Sequence, residues 1–113
     1  MSKREDSACL QDIRLAILRI LDYVRGMEES EFLSDTKTQD AVLRNLEIIG
    51  ESAKFVSGEL KERYDQAPWR SMAQLRDRLI HHYFGVNLDI VWGVIQQDLP
   101  VLLLQIESIL EEI

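Results

Sequence analysis

Residues 40–60 read DAVLRNLEIIGESAKFVSGEL. Val42, Leu46, Ile49, Ala53, Val56 and Leu60 recur at spacings of three and four, the period at which an α-helix returns to one face. The pattern predicts a long helix that starts near Thr36 or Thr38 and ends around Gly58 to Lys61. Leu43, Ile48 and Phe55 lie off the main stripe, so the apolar surface of this helix is wider than a single packing seam.

The same period runs in both directions from this segment. Upstream, Leu10, Ile13, Ile17, Ile20, Val24 and Met27 stripe a first helix, which Gly26 helps to end. Leu15, Leu18 and Leu21 give that helix a second apolar strip. Downstream, Pro68 suits a first helical turn, where its missing N–H costs nothing. Trp69, Met72, Leu75 and Leu79 then share a face and carry a third helix to about His82, before Gly85 breaks it. Asn87 reads as the N-cap of a short helix holding Ile90, Val91 and Val94. Asp98 reads as the cap of the last helix, striped by Leu99, Leu102, Ile106, Ile109 and Ile113, with Pro100 tolerated in its first turn. No segment reads as a strand. The expectation is one all-α domain over residues 1–113, an antiparallel bundle of four to five helices. Apolar strips wider than one seam point to a two-fold homodimer, with a thicker monomer core as the alternative.

Composition narrows the function classes. The chain has 113 residues, 46% apolar and 29% charged, the balance of a globular domain. No apolar run approaches the roughly 20 residues that span a bilayer. The polar start, Met1 to Asp6, carries no signal-peptide pattern, so cytoplasmic residence without a membrane partner is expected. Cys9 is the single cysteine, which leaves no disulfide framework and no thiolate cluster for zinc. It reads as a small half-buried residue near a helix start. No carboxylate–histidine cluster shows metal-ligand spacing, and no cofactor or metal is expected.

The net charge of −7 argues against a protein that coats a long duplex, since phosphate contacts demand a basic footprint. The acidic residues are unevenly spread. Glu28, Glu29, Glu31, Asp35 and Asp40 gather around the first connection, and Glu107, Glu111 and Glu112 lie at the C-terminal end. Between these groups Arg70, Arg76, Arg78, His81 and His82 share one stretch, opposed there by Asp77 alone. Such local cationic character suits an enzyme that grips one phosphate.

That stretch, Leu75-Arg76-Asp77-Arg78-Leu79-Ile80-His81-His82-Tyr83, carries the chemistry. Asp77 and His81 are i and i+4 on a helix. The carboxylate can accept from one imidazole nitrogen, leave the other free, and raise the histidine pKa above its usual value of about 6.5. Arg76 and Tyr83 are i and i+7, hence on one face, and Arg78 and His82 form a further i, i+4 pair. Arg76 and His81 stand about 140° apart on an ideal helix and do not converge within it. Either the helix loosens before Gly85, or a two-fold axis brings the pairs of two protomers together. The structural alternative is a helix end finished by packing and capping residues, with a charged histidine against the helix dipole. Arg44 and Glu51, seven residues apart on the second long helix, share a face from which either could support the site. Solvated or interhelical ion pairs are the plainer reading of both. Trp69 and Trp92 read as core anchors rather than base-stacking platforms.

The segment resembles the Arg-x4-His-x-Tyr signature of the HepT-like branch of the HEPN superfamily. The resemblance extends over nearly the whole chain. Asp40-Ala41-Val42 with Arg44 and Ile48-Ile49-Gly50-Glu51 is similar to the family's second helix. Pro68-Trp69 with Leu75 to Val86 is similar to its third, and Val91-Trp92 with Asp98-Leu99-Pro100 to its closing pattern. Two positions depart: Asp77 stands where asparagine is common, and Ser52 where alanine is common. What the resemblance implies is a metal-independent endoribonuclease, the toxin of a type VII-like toxin–antitoxin system. The RNA 2′-OH would attack the adjacent phosphodiester, leaving a cyclic phosphate and a free 5′-OH. His81 would act as general base or acid and Arg76 would hold the scissile phosphate. Asp77 would orient His81, with Arg78, His82, Arg44 and Glu51 as supporting residues. The implied partners are RNA, a second copy of the chain, and a nucleotidyltransferase antitoxin that silences the toxin by transferring AMP to Tyr83. A packed, hydrogen-bonded tyrosine is the alternative for that residue. The competing function is a non-catalytic helical partner and substrate of a minimal nucleotidyltransferase, which uses Tyr83 but needs neither Arg76 nor His81 for chemistry. An orphan helical dimer without enzymatic role is the plainest reading.

Overall fold

The structure, a computed structural model, describes residues 3–81 and 87–113; it leaves undescribed the side chains of residues 3 and 4 in α1 and of residues 76 and 78–81 in α5. The described residues form α1 (Lys3–Tyr23), α2 (Glu29–Ser34), α3 (Thr36–Phe55), α4 (Gly58–Arg63), α5 (Trp69–His81), α6 (Leu88–Gly93) and α7 (Leu99–Glu112). A π-helical turn, Val94–Asp98, joins α6 to α7. Four of these helices are long, as the periodicity predicts, and no strand occurs among the described residues.

The long helices pack in the order α7, α1, α3, α5, so α1 and α3 each have a long neighbour on two sides. The predicted stripes fill the space between them. Leu10, Ile13, Ile17 and Ile20 of α1 meet Val42, Leu46 and Ile49 of α3 and Ile106 of α7, all essentially without solvent exposure. Burying one such side chain contributes roughly 1.5–3 kcal/mol. Polar contacts set the directions. Asp6 near the start of α1 bonds Ser57 just beyond the end of α3, so these two helices run antiparallel. Arg14 of α1 pairs with Glu107 of α7 at 3.0 Å, while Asp6 and Ile113 border one small cleft, so α1 and α7 are antiparallel too.

Several boundaries follow local chemistry. Asp35 caps α3 by accepting from the Thr38 amide at 3.1 Å and the Thr38 hydroxyl at 2.8 Å, which places the helix start at Thr36. Asn87 caps α6, accepting from the amides of Asp89 and Ile90. Gly26 adopts φ +77°, the left-handed conformation that glycine takes at least cost after a helix.

Three boundaries differ from expectation. The acidic connection holds a short helix, α2, closed by a capping box between Glu28 and Glu31 and anchored by the buried Phe32 against Trp92, ring centroids 5.3 Å apart. The second long helix stops at Phe55 rather than running to Gly58–Lys61. Val56 turns extended, and Ser57 caps the separate α4 by accepting from the Leu60 amide. Asp98 is not a cap: its backbone is helical and its side chain makes no capping bond. The π turn instead carries α6 into α7 without a break, and Ile95 within it and Leu99 just beyond it are both buried.

Cys9 is half-buried, as expected. Burial, then the carboxylates of Asp12, Asp6 and Glu5, push its thiol pKa up, which keeps it from forming a reactive thiolate. No described helix is long and apolar enough to cross a membrane.

The Asp6–Ser57 contact is nearly buried and joins three helices, so Asp6→Ala is expected to lower stability by about 1–3 kcal/mol. Urea unfolding at fixed protein concentration checks this, and a change within about 0.5 kcal/mol would show that the junction does not depend on the carboxylate. Asp35 has a pKa lowered chiefly by the Thr38 amide hydrogen bond. Its contribution is therefore complete above the unfolded-state pKa of about 3.9 and is lost as pH falls through the lower folded-state value. The stability difference between wild type and Asp35→Ala should shrink on acidification below about pH 4; a difference that grows there contradicts the capping assignment.

Candidate active site on α5

The site is built from the start of α5 upward. Pro68 closes the preceding loop, and its carbonyl accepts from the Met72 amide at 3.0 Å. The Trp69 indole N–H donates to the Tyr64 carbonyl at 2.9 Å while its rings are buried, so a single side chain satisfies its polar atom and anchors the helix. Met72, one turn on, is also buried. Position 76 continues this stripe, four residues after Met72 and seven after Trp69. The packing of α5 on α3 thus determines where the backbone of Arg76 lies.

Asp77 is the candidate residue whose surroundings are clearest. Its Oδ1 accepts from the Lys54 ammonium of α3 at 2.9 Å. The two side chains are 49% and 36% exposed, so the pair sits at the rim of the α3–α5 interface rather than inside it. Lys54 lies in the last turn of α3, where the helix dipole favours a cation. Glu51 stands one turn before Lys54 on the same edge of α3, and Arg44 two turns before Glu51; both are exposed. A carboxylate offers about four lone-pair sites, so the Lys54 bond is compatible with the expected bond from His81.

Of the other expected site residues, Arg76, Arg78 and His81 all fall on α5, with His81 its final residue. Their side chains, and the whole of His82 and Tyr83, lie outside the described residues. What the structure brings together is therefore Asp77 and an α3 edge that carries Glu51 and Lys54. Lys54 escapes a reading of the sequence: its only signal is a basic residue one turn after Glu51, a spacing shared by many solvated helix faces. Among the described residues, no three His, Cys, Asp or Glu side chains gather as a metal-binding group.

A groove of about 530 Å³ runs along the other flank of α5, between Pro68, Met72 and Leu75 and the residues Val94, Leu99 and Leu102 of the π turn and α7. Leu75 and Asp77 are about 200° apart around the helix, so groove and ion pair occupy opposite sides. The one ionisable side chain among its described lining residues is Asp98, which leaves it without an acid–base pair.

With this geometry in hand, the relationships of the chain become informative. Residues 13–109 match the family model described as Ribonuclease HepT-like, and the chain belongs to that family of HEPN ribonucleases. A Methanocaldococcus jannaschii protein, named as a candidate RNase, is 43% identical over 113 residues, covering 100% of this chain and 93% of its own length. A Thermococcus cleftensis protein, named as a candidate ribonuclease HepT, is 44% identical over 100 residues, covering 88% of this chain and 91% of its own. A further candidate RNase, from Caldanaerobacter subterraneus, is 39% identical over 93 residues, covering 82% and 83%. No solved structure matches the chain significantly.

Because Met72 seats the turn from which Arg76 follows, Met72→Ala is expected to cost about 2–4 kcal/mol by opening a cavity under α5. Denaturant unfolding measures it. A loss below about 1 kcal/mol would mean that α5 is held by other contacts.

Proposed function

We propose that this protein is the toxin of a type VII-like toxin–antitoxin system, a cytoplasmic endoribonuclease that needs no metal ion. The observation that carries the reading is that Arg76, Asp77 and His81 all fall on α5 inside the family-matched span, with Asp77 held from the neighbouring helix. The names of the relatives support ribonuclease chemistry.

In the proposed reaction the RNA 2′-OH attacks the adjacent phosphorus while His81 takes its proton. The bond to the 5′-oxygen breaks, and that oxygen leaves with a proton from a second imidazole, His81 of the partner subunit. The products are a 2′,3′-cyclic phosphate and a 5′-OH end. Arg76 holds the non-bridging phosphate oxygens through paired N–H donors, which stabilise charge as it builds. Asp77 orients His81. A two-fold dimer supplies both histidines, and several large apolar side chains left exposed on one protomer, Phe55, Val101 and Leu104 among them, support such an assembly. Silencing follows from AMP transfer to Tyr83 by a nucleotidyltransferase antitoxin: the new phosphodiester competes with RNA phosphate for Arg76.

Total cellular RNA incubated with the protein in chelator tests the reading. Wild type should cleave it. His81→Ala, Arg76→Ala and protein adenylylated on Tyr83 should each cleave at least about 100-fold more slowly. Intact RNA after incubation with dimeric wild type would instead favour a non-catalytic partner of the nucleotidyltransferase.

A further inference from the structure

The Lys54–Asp77 pair ties the motif segment to another helix through charge. It joins residues 23 positions apart at 2.9 Å, yet between a third and a half of each side chain is exposed to solvent. Pairs this exposed contribute little to stability. Its consequence therefore lies in placement. Asp77 sits directly after Arg76 and one turn before His81, so whatever fixes its carboxylate also fixes the charge between the proposed phosphate-binding and proton-transferring positions. The bond from the Lys54 ammonium restrains the rotamer that the Asp77 carboxylate adopts.

We propose that Lys54 is a positioning residue of the ribonuclease site, acting from α3 by holding the Asp77 carboxylate in the orientation from which it can accept from His81. The proposal rests on the ribonuclease reading above. Lys54 touches neither RNA nor the reacting atoms in this account; it acts through Asp77. Lysine at position 54 thus couples the end of α3 to the chemistry of α5, which the motif alone does not specify.

A mutant cycle in the full-length protein, with a fluorophore–quencher single-stranded RNA of mixed sequence as substrate, tests this. Lys54→Met should lower kcat about tenfold with KM within about twofold, because an orienting contact and not substrate binding is lost. Lys54→Arg, which keeps the charge, should recover most of the rate. In an Asp77→Ala background, which leaves no acceptor for the ammonium, Lys54→Met should have no further effect, whereas independent roles would multiply. Thermal melting should place every variant within a few degrees of wild type. An unchanged kcat in Lys54→Met, or losses that multiply with Asp77→Ala, would overturn the proposal; the second result would mean that Lys54 acts independently of Asp77.

A second readout keeps the proposal separate from the ribonuclease reading. The ionisable residues nearest Asp77 in sequence are Arg76, Arg78 and His81 on α5, and those on the facing edge of α3, the element packed most broadly on α5 among the described residues, are Lys54 and Glu51. Removing the lysine from this set disfavours the ionised carboxyl, so the Asp77 carboxyl titration followed by carbon-13 NMR should move up by about half a unit or more in Lys54→Met. If wild type cuts no RNA, the ribonuclease reading fails on that result alone. An Asp77 titration that does not move then overturns the Lys54 assignment independently.

Discussion

The structure depends on α3 being buried along two faces at once. α1 covers one and α5 the other, and the apolar positions of residues 40–56 are too widely spread to serve a single neighbour. This constraint explains why the motif-bearing helix is short yet well placed. Trp69 and Met72 are buried in the first turns of α5, and the helix then brings Asp77 to the rim of the α3–α5 interface, against Lys54. A buried charge in that position would demand compensation worth several kcal/mol. At the rim the ions stay hydrated, and geometry can be set without a large stability cost.

Much of this was legible in residues 10–27, 40–60 and 98–113, because burial against a neighbouring helix demands a period of 3.6 and leaves it in the sequence. The Asn87 cap was readable because its chemistry is local, whereas Asp98 in the same kind of position is no cap because the π turn runs through it. The features that escaped are tertiary in origin. Val56 and Leu60 continue the α3 period and so mask the break between them; Ser57 and Gly58 are its local signals, and the bond to Asp6, 51 residues away, holds the junction. The π turn is silent in the sequence, since one added residue shifts the phase of Leu99 without altering composition. Phe32 is a lone apolar residue in an acidic connection, and only the position of Trp92 makes it a core residue.

The same distinction divides the site. Arg76, Asp77 and His81 stand out because they crowd into one acid-poor stretch of an acidic chain, and because that stretch resembles a known signature. The placement of this stretch on α5 agrees with the expected helix. Lys54 belongs to the opposite case. A lysine in the last turn of a helix is what dipole and solvation alone would put there, and its role becomes visible only when α5 is laid beside α3. Membership of the HepT-like ribonuclease family supplies the reaction class, while the packing of these two helices supplies a reason for the charged edge around the motif.

The most direct measurement for the central claim is the chemistry of the cleaved ends. A defined single-stranded RNA and the same strand with one 2′-deoxy nucleotide at the cut position would be incubated with protein in chelator, and the products sized and weighed by mass spectrometry. The account predicts 2′,3′-cyclic phosphate and 5′-OH ends from the RNA, and no cut at the deoxy position. Cleavage at the deoxy position, or products carrying a 5′-phosphate, would contradict attack by the 2′-OH and with it the roles given to Arg76 and His81.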